Sequence, residues 1–547
     1  MSEEKTHHIP VINLIGDPVE NFYRLGKQDK ESYRPVLDEI KAMLQTPWKS
    51  VDKGVKEAGL LLIKNAFSKS SPFRKHVEAY AEGLEIPFED VALGLLVPEV
   101  ISSLNRWIPA ISTNTLGCSS YFAIDQEKKV PIHVRLLDYP LVGSFDKSER
   151  FLVTQFKGEA TIFSHGSSGL PYNSLTCMNS HGVTLALHQK YTDIFNIQGT
   201  PVFELVRELM AHVKTPHGAL EFLNKRQSLS SWGLYMLFES GEVLAVDLLG
   251  EKFEHQLYEL KENQILSFNN LLINKRYPQK KILPYNFYHY CKMRENCDNK
   301  KIKKILKEKD LTENNLLKKI TTPLSQEDKP FEKWEADSAT PITVGALTLN
   351  PTKQSSLYIP GPAPKYYSGQ MVSLTQTKKG IRQHTIINED PSLLSTSWTE
   401  GMKRLILAMQ AYQKKEIHLT YHHAQMACDY LEGTTEQKLA KLYLAFYRFL
   451  NEEDKTLRED ILNDLLNLKD DLPTYLKDHC LLFIWRLERL LDKKIKVTKD
   501  DIESPVLKKI WEFENKIPKL LHYKVTAPFI QPRPDILDVV YAFLLHT

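Results

Sequence analysis

Residues 116–138 read LGCSSYFAIDQEKKVPIHVRLLD, and the rest of the chain is parsed outward from this stretch. Tyr121–Asp125 and Val130–Leu137 are aromatic and β-branched runs on either side of a short charged segment. That pattern predicts two strands joined by a turn around Asp125–Lys129. Pairing them would bring Arg135 beside Cys118. Upstream, residues 1–117 carry mainly helical signals. Ser71-Pro72 reads as an N-cap followed by proline at the first helical position. Phe73, Val77, Tyr80 and Ala81 then recur at helical spacing, Gly83 reads as the stop, and Pro87 opens a further helix. Pro109–Leu116 (PAISTNTL) reads as an exposed loop of small residues.

Downstream the period changes. Phe151–Phe156, Ala160–Ser164, Val183–His188, Leu234–Phe238, Val243–Leu249, Gln264–Phe268, Ile342–Leu349 and Ser355–Ile359 are short strand-like runs bounded by turn residues. One amphipathic helix interrupts them at Pro201–Val213. Lys300–Glu308 (KKIKKILKE) reads as a solvated helix face. Beyond about residue 392 the strand signals stop. Thr434–Gln437 and Thr456–Glu459 fit the capping-box pattern, and Ser504-Pro505 is another N-cap pair. Amphipathic stripes follow them, without a clean repeat unit. The parsing is therefore a helical segment 1–117, a strand-rich region 118–391 and an all-α module 392–547.

Composition narrows the function. The 547 residues are 42% hydrophobic and 25% charged, which fits a globular protein. Lys+Arg 71 against Asp+Glu 68 leaves +3, too balanced for a nucleic-acid binder. The six scattered cysteines make no disulfide framework and form no CxxC, which argues against structural zinc. His7-His8 and His422-His423 lack a third ligand at metal spacing, so no metal site is read there. No apolar run approaches a membrane span. The N-terminus lacks a signal-peptide pattern, so the expected location is cytoplasmic, with export of the unprocessed sequence left open.

A lone cysteine is ordinarily a small buried hydrophobe. Cys118 stands apart because Gly117 precedes it, leaving an unhindered carbonyl for attack by the thiol. Arg135 and Asp138 lie on the next strand and at its end. Asn-containing turns follow at Cys177–Gly182 and at Ser267–Asn270. Together these residues resemble the N-terminal nucleophile (Ntn) hydrolases. They are closest to the acyl-coenzyme A:6-aminopenicillanate acyltransferase and linear amide C–N hydrolase branch, related to choloylglycine hydrolase and acid ceramidase. Gly117-Cys118 looks like the self-cleaved bond and Arg135…Asp138 like the R-x-x-D after the nucleophile. Asn179-Ser180-His181-Gly182-Val183 resembles the family's N-x-x-G-L, and Ser267–Asn270 resembles the strand end that supplies an oxyanion asparagine.

The resemblance implies an α+β fold, a four-layer αββα sandwich starting at Cys118, with 1–117 as a helical propeptide whose fragment stays associated after cleavage. It implies an acyl-Cys118 intermediate on a linear amide, resolved by water or by an amine, with no cofactor. Acyl-coenzyme A is admitted as a substrate in the transferase version. The freed α-amine of Cys118, with a pKa of about 7.7–8.0, is suited to act as the base. Arg135 would favour thiolate, Asp138 would hold the ammonium or the arginine, and Asn269 would donate to the oxyanion. The strand after Gly182 departs from the family. It ends Leu187-His188-Gln189 where an asparagine is usual, leaving His188 or Gln189 to supply a hydrogen bond. The alternative is an inactive protein of this fold that binds a protein partner through residues 392–547.

Overall fold

The computed structural model describes residues 8–44, 49–67, 71–104, 117–172, 174–192, 194–274, 285–323, 337–377, 380–387, 396–472 and 474–541. The expected loop 109–116 lies outside these residues. The chain divides into two compact units: Met1–Leu283 with Glu295–Thr322 and Ile342–Ser392, and Pro284–Arg294 with Pro323–Pro341 and Leu393–Thr547.

The first unit is built on two sheets. One has eight strands in the order β1 (Val11–Ile15), β4 (Glu149–Gln155), β5 (Ile162–Ser167), β6 (Thr176–Asn179), β7 (Val183–Gln189), β8 (Ser231–Phe238), β9 (Glu242–Leu249), β10 (Lys252–Glu259). The other has seven, in the order β11 (Ile265–Phe268), β2 (Gly117–Ile124), β3 (Pro131–Asp138), β12 (Thr343–Leu349), β13 (Ser355–Tyr358), β14 (Gln370–Thr377), β15 (Gly380–Ile387). The expected β2–β3 hairpin forms, antiparallel, with Ser120 opposite Arg135. Its turn is closed by Lys129 at φ 54° and by Asp125, whose carboxylate accepts the Glu127 and Lys128 N–H groups.

Alternate residues of the two sheets interdigitate. Phe151, Phe163 and Met178 of the first pack with Leu347, Tyr358, Val372 and Leu374 of the second. Phe122 packs with Tyr235, Leu237 and Ala245. Burial on both faces explains why these strands read as continuous apolar runs instead of alternating ones. On the outer face of the first sheet lies α6 (Val202–His212). Helix Glu313–Thr321 lies against β3 and β12, and Tyr121 Oη donates to Asp298 of helix Tyr285–Glu308 at 2.7 Å.

The segment before Cys118 holds α1 (Pro18–Asp29), α2 (Arg34–Ala42), α3 (Lys49–Ala66), α4 (Pro72–Leu84) and α5 (Phe88–Leu104). It is not purely helical. β1 pairs in parallel with β4 and forms the edge of the first sheet. Gly83 does not stop its helix, which ends in a left-handed cap at Glu85 (φ 60°). It marks instead the point where α1 and α4 touch. A Cβ on Gly83 would lie 2.2 Å from Tyr23 O, and one on Gly26 2.2 Å from Tyr80 O. Ser71 stands at the N-cap position, but its hydroxyl bonds Glu204.

The described residues of the second unit form seven α-helices between Thr396 and Thr526, with Leu442, Phe446, Phe449, Phe483 and Trp485 in its core. Ser504 caps Pro505–Asn515 as expected. Asp454, not Thr456, caps Lys455–Leu468, and Thr435 makes no side-chain cap bond. The unit is not all-α. Ile530–Arg533 and Asp538–Tyr541 form a hairpin, where Pro532 and Pro534 forbid helix and Val539-Val540-Tyr541 favours strand.

Candidate active site

Because side chains alternate along a strand, β2 sends Cys118, Ser120 and Phe122 toward the first sheet, and β3 sends His133 and Arg135 the same way. The Phe122 and His133 rings lie 4.2 Å apart, and His133 Nδ1 pairs with Thr184 Oγ1 at 2.9 Å. One step along, Arg135 is fully buried. Its Nη2 donates to Cys118 Sγ at 3.0 Å and to Leu187 O at 2.8 Å, Nη1 donates to His188 Nε2 at 2.8 Å, and Nε reaches Thr176 Oγ1 at 3.4 Å. Among the described residues it has no carboxylate partner. Three of its partners are neutral acceptors, so Cys118 sulfur is the one that can carry a negative charge.

His188 is set by this arrangement. Burial, then the charges of Arg135 and Lys190, hold its pKa well below the ordinary histidine range. It is neutral, with the proton on Nδ1, which donates to Asn269 O at 3.3 Å. Nε2 keeps its lone pair and accepts from Arg135 and from Ser120 Oγ at 2.8 Å. His188 therefore aims a lone pair at the guanidinium, not an N–H at the nucleophile.

The nitrogen of Cys118 is held as well. Cys118 N donates to Asn270 Oδ1 at 2.8 Å, and Asn270 Nδ2 donates to Gln189 O at 3.0 Å. Asn270, the residue after the oxyanion candidate Asn269, is the side chain that reaches Cys118 N. Asn269 Oδ1 accepts the Leu271 N–H at 2.9 Å within its own turn. Asp138 is buried beside the Gly117–Cys118 bond, opposite Gly117 in the ladder, and accepts from Thr343 Oγ1 at 2.6 Å.

Two candidates point elsewhere. Gln189, one residue past His188, donates from Nε2 to Pro98 O at 2.8 Å and accepts from Tyr191 Oη at 2.9 Å. Asn179 ties the β6–β7 turn to the end of α6, donating to Met210 O and Val213 O at 3.0 and 2.9 Å while accepting the His181 and Val183 N–H groups. Sequence reasoning does not single out Ser120, Thr176 or Asn270. Of these, Asn270 alone carries a signal, as the second member of the Asn-Asn pair. None of the six cysteines is in a disulfide and all are buried; burial pushes the Cys177 thiol up to about 12, an inert environment. No helix of the described residues is long and apolar enough to cross a membrane.

No protein-family model matches the chain, and no curated protein matches it. Among solved structures it is similar to an N-acylethanolamine-hydrolyzing acid amidase ortholog from Caenorhabditis elegans, at 15% identity over 43% of this chain and 93% of that one, with a TM-score of 0.31. It is also similar to a point mutant of conjugated bile acid hydrolase from Clostridium perfringens, at 11% identity over 51% of this chain and 99% of that one (TM-score 0.32). A second variant of that hydrolase gives 10% identity, the same coverage and a TM-score of 0.30.

Proposed function

We propose that the chain is a self-processed cysteine-nucleophile amidase of the Ntn type, cut between Gly117 and Cys118 and acting on linear amide C–N bonds. On this reading the two sheets and their flanking helices are a four-layer αββα sandwich. One observation carries the proposal: Arg135 is a buried cation whose one partner among the described residues able to bear negative charge is Cys118 Sγ, 3.0 Å away. A buried charge without a counter-charge is costly, and a thiolate at Cys118 removes that cost.

In maturation, Cys118 sulfur attacks the Gly117 carbonyl carbon. The C–S bond forms as the C–N bond breaks, and Cys118 nitrogen departs as an amine, taking up a proton. Water then cleaves the thioester, leaving a Gly117 carboxylate and restoring the thiol. Asn270 Oδ1, which holds Cys118 N before the cut, keeps one N–H of the new amine and leaves its lone pair for the thiol proton. Asp138 stands by the same bond to hold the ammonium form by a charge-assisted hydrogen bond. The matured thiolate attacks a substrate amide, the amine leaves protonated, and water or an acceptor amine resolves acyl-Cys118. Acyl-coenzyme A fits the second route as a donor. Asn269 serves this scheme through its turn, which presents Asn270.

Denaturing mass analysis tests the reading. Purified wild-type protein is expected as fragments 1–117 and 118–547, and Cys118→Ala as one chain. A wild-type chain that stays whole on incubation refutes self-processing.

A further inference from the structure

Behind the nucleophile lies a second buried cation that the scheme above does not use. Lys190 follows β7 directly, and its side chain is fully buried. Its ammonium donates to Tyr235 Oη at 2.7 Å, to Asn269 O at 3.0 Å and to Leu271 O, and lies 3.6 Å from Asp247 Oδ1. Asp247 Oδ2 in turn accepts the Ile273 N–H at 2.6 Å. His188 Nδ1 also donates to Asn269 O. Residues 269–273, which carry Asn270, are thus gripped at two carbonyls and one N–H by a lysine–aspartate pair. Gly233 makes room for it: a Cβ there would lie 2.6 Å from Lys190 Cε and 2.9 Å from the Tyr235 ring.

An ammonium taken fully out of water carries a large desolvation penalty that an apolar side chain of similar length would avoid. Here the charge is applied to backbone carbonyls on both sides of Asn270. The spacing of those carbonyls fixes where Asn270 Oδ1 meets Cys118 N. We infer that Lys190 is a positioning residue for the nucleophile: it locks the Asn269–Leu271 turn so that Asn270 orients Cys118 nitrogen, the future amine. The inference rests on the proposed self-processing for its catalytic meaning, but not for its geometry.

Two readouts separate them. In the Cys118→Ala chain, which stays whole, amide hydrogen exchange at residue 118 reports the bond to Asn270. Adding Lys190→Met is expected to speed that exchange at least tenfold while the β8 and β9 amides keep their protection, a pattern that general loosening of the sheet does not give. With Cys118 present, Lys190→Met is expected to slow fragment formation at least tenfold. Wild-type protection at residue 118 together with fragment formation within twofold of wild type overturns the inference. Faster exchange in a protein whose wild-type form never cleaves refutes the proposed function and leaves the role of Lys190 standing. If Lys190→Met does not fold, Gly233→Ala displaces the lysine without removing its charge. The same tenfold changes are expected of it, and a folded Gly233→Ala protein with wild-type exchange and processing overturns the inference equally.

Discussion

Replacing Arg135 by glutamine tests the electrostatic core of the site, because an amide can still donate to Cys118 and Leu187 but carries no charge. A hydrogen bond to a charged group contributes about 1.5–3 kcal/mol, and Arg135 makes one to the sulfur at 3.0 Å. At 1.36 kcal/mol per factor of ten, its loss lowers the thiolate population at neutral pH roughly 12- to 160-fold. Part of this is returned, because a less stabilised thiolate is the better nucleophile, with a Brønsted slope of about 0.4–0.5. The net expectation is processing at Gly117–Cys118 slowed about four- to twentyfold at pH 7. Sign matters as much as size. The thiolate of the variant forms only at higher pH, so the gap to wild type narrows as pH rises from 6 toward 9. Fragment formation followed by denaturing mass analysis across that range supplies both numbers. A rate ratio near one at pH 7, or a ratio that does not change with pH, would refute the assignment of Cys118 as the counter-charge of Arg135.

Three further outcomes follow from the same geometry. His188 is neutral when folded, its pKa held well below the ordinary value by burial and by Arg135 and Lys190, so below about pH 6.5 the unfolded chain binds the extra proton and stability falls. Between pH 6.5 and 5 this histidine costs up to about 2 kcal/mol, and denaturant midpoints of His188→Asn should drop correspondingly less than those of wild type over that interval. Gly83→Ala puts a methyl 2.2 Å from the Tyr23 carbonyl. It should cost about 1–3 kcal/mol, read as a lowered Tm, because two helix backbones must part. Glu99 of α5 accepts the Val202 N–H at 2.7 Å, Trp232 Nε1 at 3.0 Å and the Ser230 hydroxyl. Glu99→Ala strands these donors at roughly 1–3 kcal/mol each. If the chain is processed as proposed, fragment 1–117 should then separate from 118–547 at a lower denaturant concentration than the wild-type fragments in size-exclusion runs, because Glu99 and the β1–β4 pairing link the two segments.

The fold was legible where burial is two-sided and the pairing local. The β2–β3 hairpin joins neighbouring runs, and its strands are apolar because both faces are covered. The strands without a clear sequence signal lie mainly toward the sheet edges. Lys252–Glu259 is polar and mostly exposed, and Val11–Ile15 finds its partner at Phe151–Gln155, far along the chain. Gly83 shows a different limit. A glycine that ends a helix and a glycine that admits a neighbouring helix have the same local sequence, and only the position of Gly26 distinguishes them. The Thr456–Glu459 capping box failed because Asp454, two residues earlier than Thr456, offers an equally good acceptor.

For the site, the hairpin made Cys118 and Arg135 readable together, since 17 residues separate them. Their other partners lie farther along the chain, His188 53 residues from Arg135 and Asn270 152 residues from Cys118. At that range the uncertainty reduces to parity. On a strand, adjacent residues face opposite ways, so choosing between His188 and Gln189 amounts to choosing a face of the sheet. His188 faces Arg135, while Gln189 faces Pro98 of the preceding segment. The Asn269-Asn270 pair poses the same choice in a turn. There the backbone carbonyl of Asn269 is taken by His188 and Lys190 and its side chain by Leu271, so the next residue is the one that reaches Cys118. Parity is fixed by register, and register here is fixed by what the second sheet buries. The place of a residue in this site is thus decided by contacts between the two sheets, with Arg135 held at Leu187 O and Lys190 at Asn269 O and Leu271 O, more than by the motif in which the residue stands.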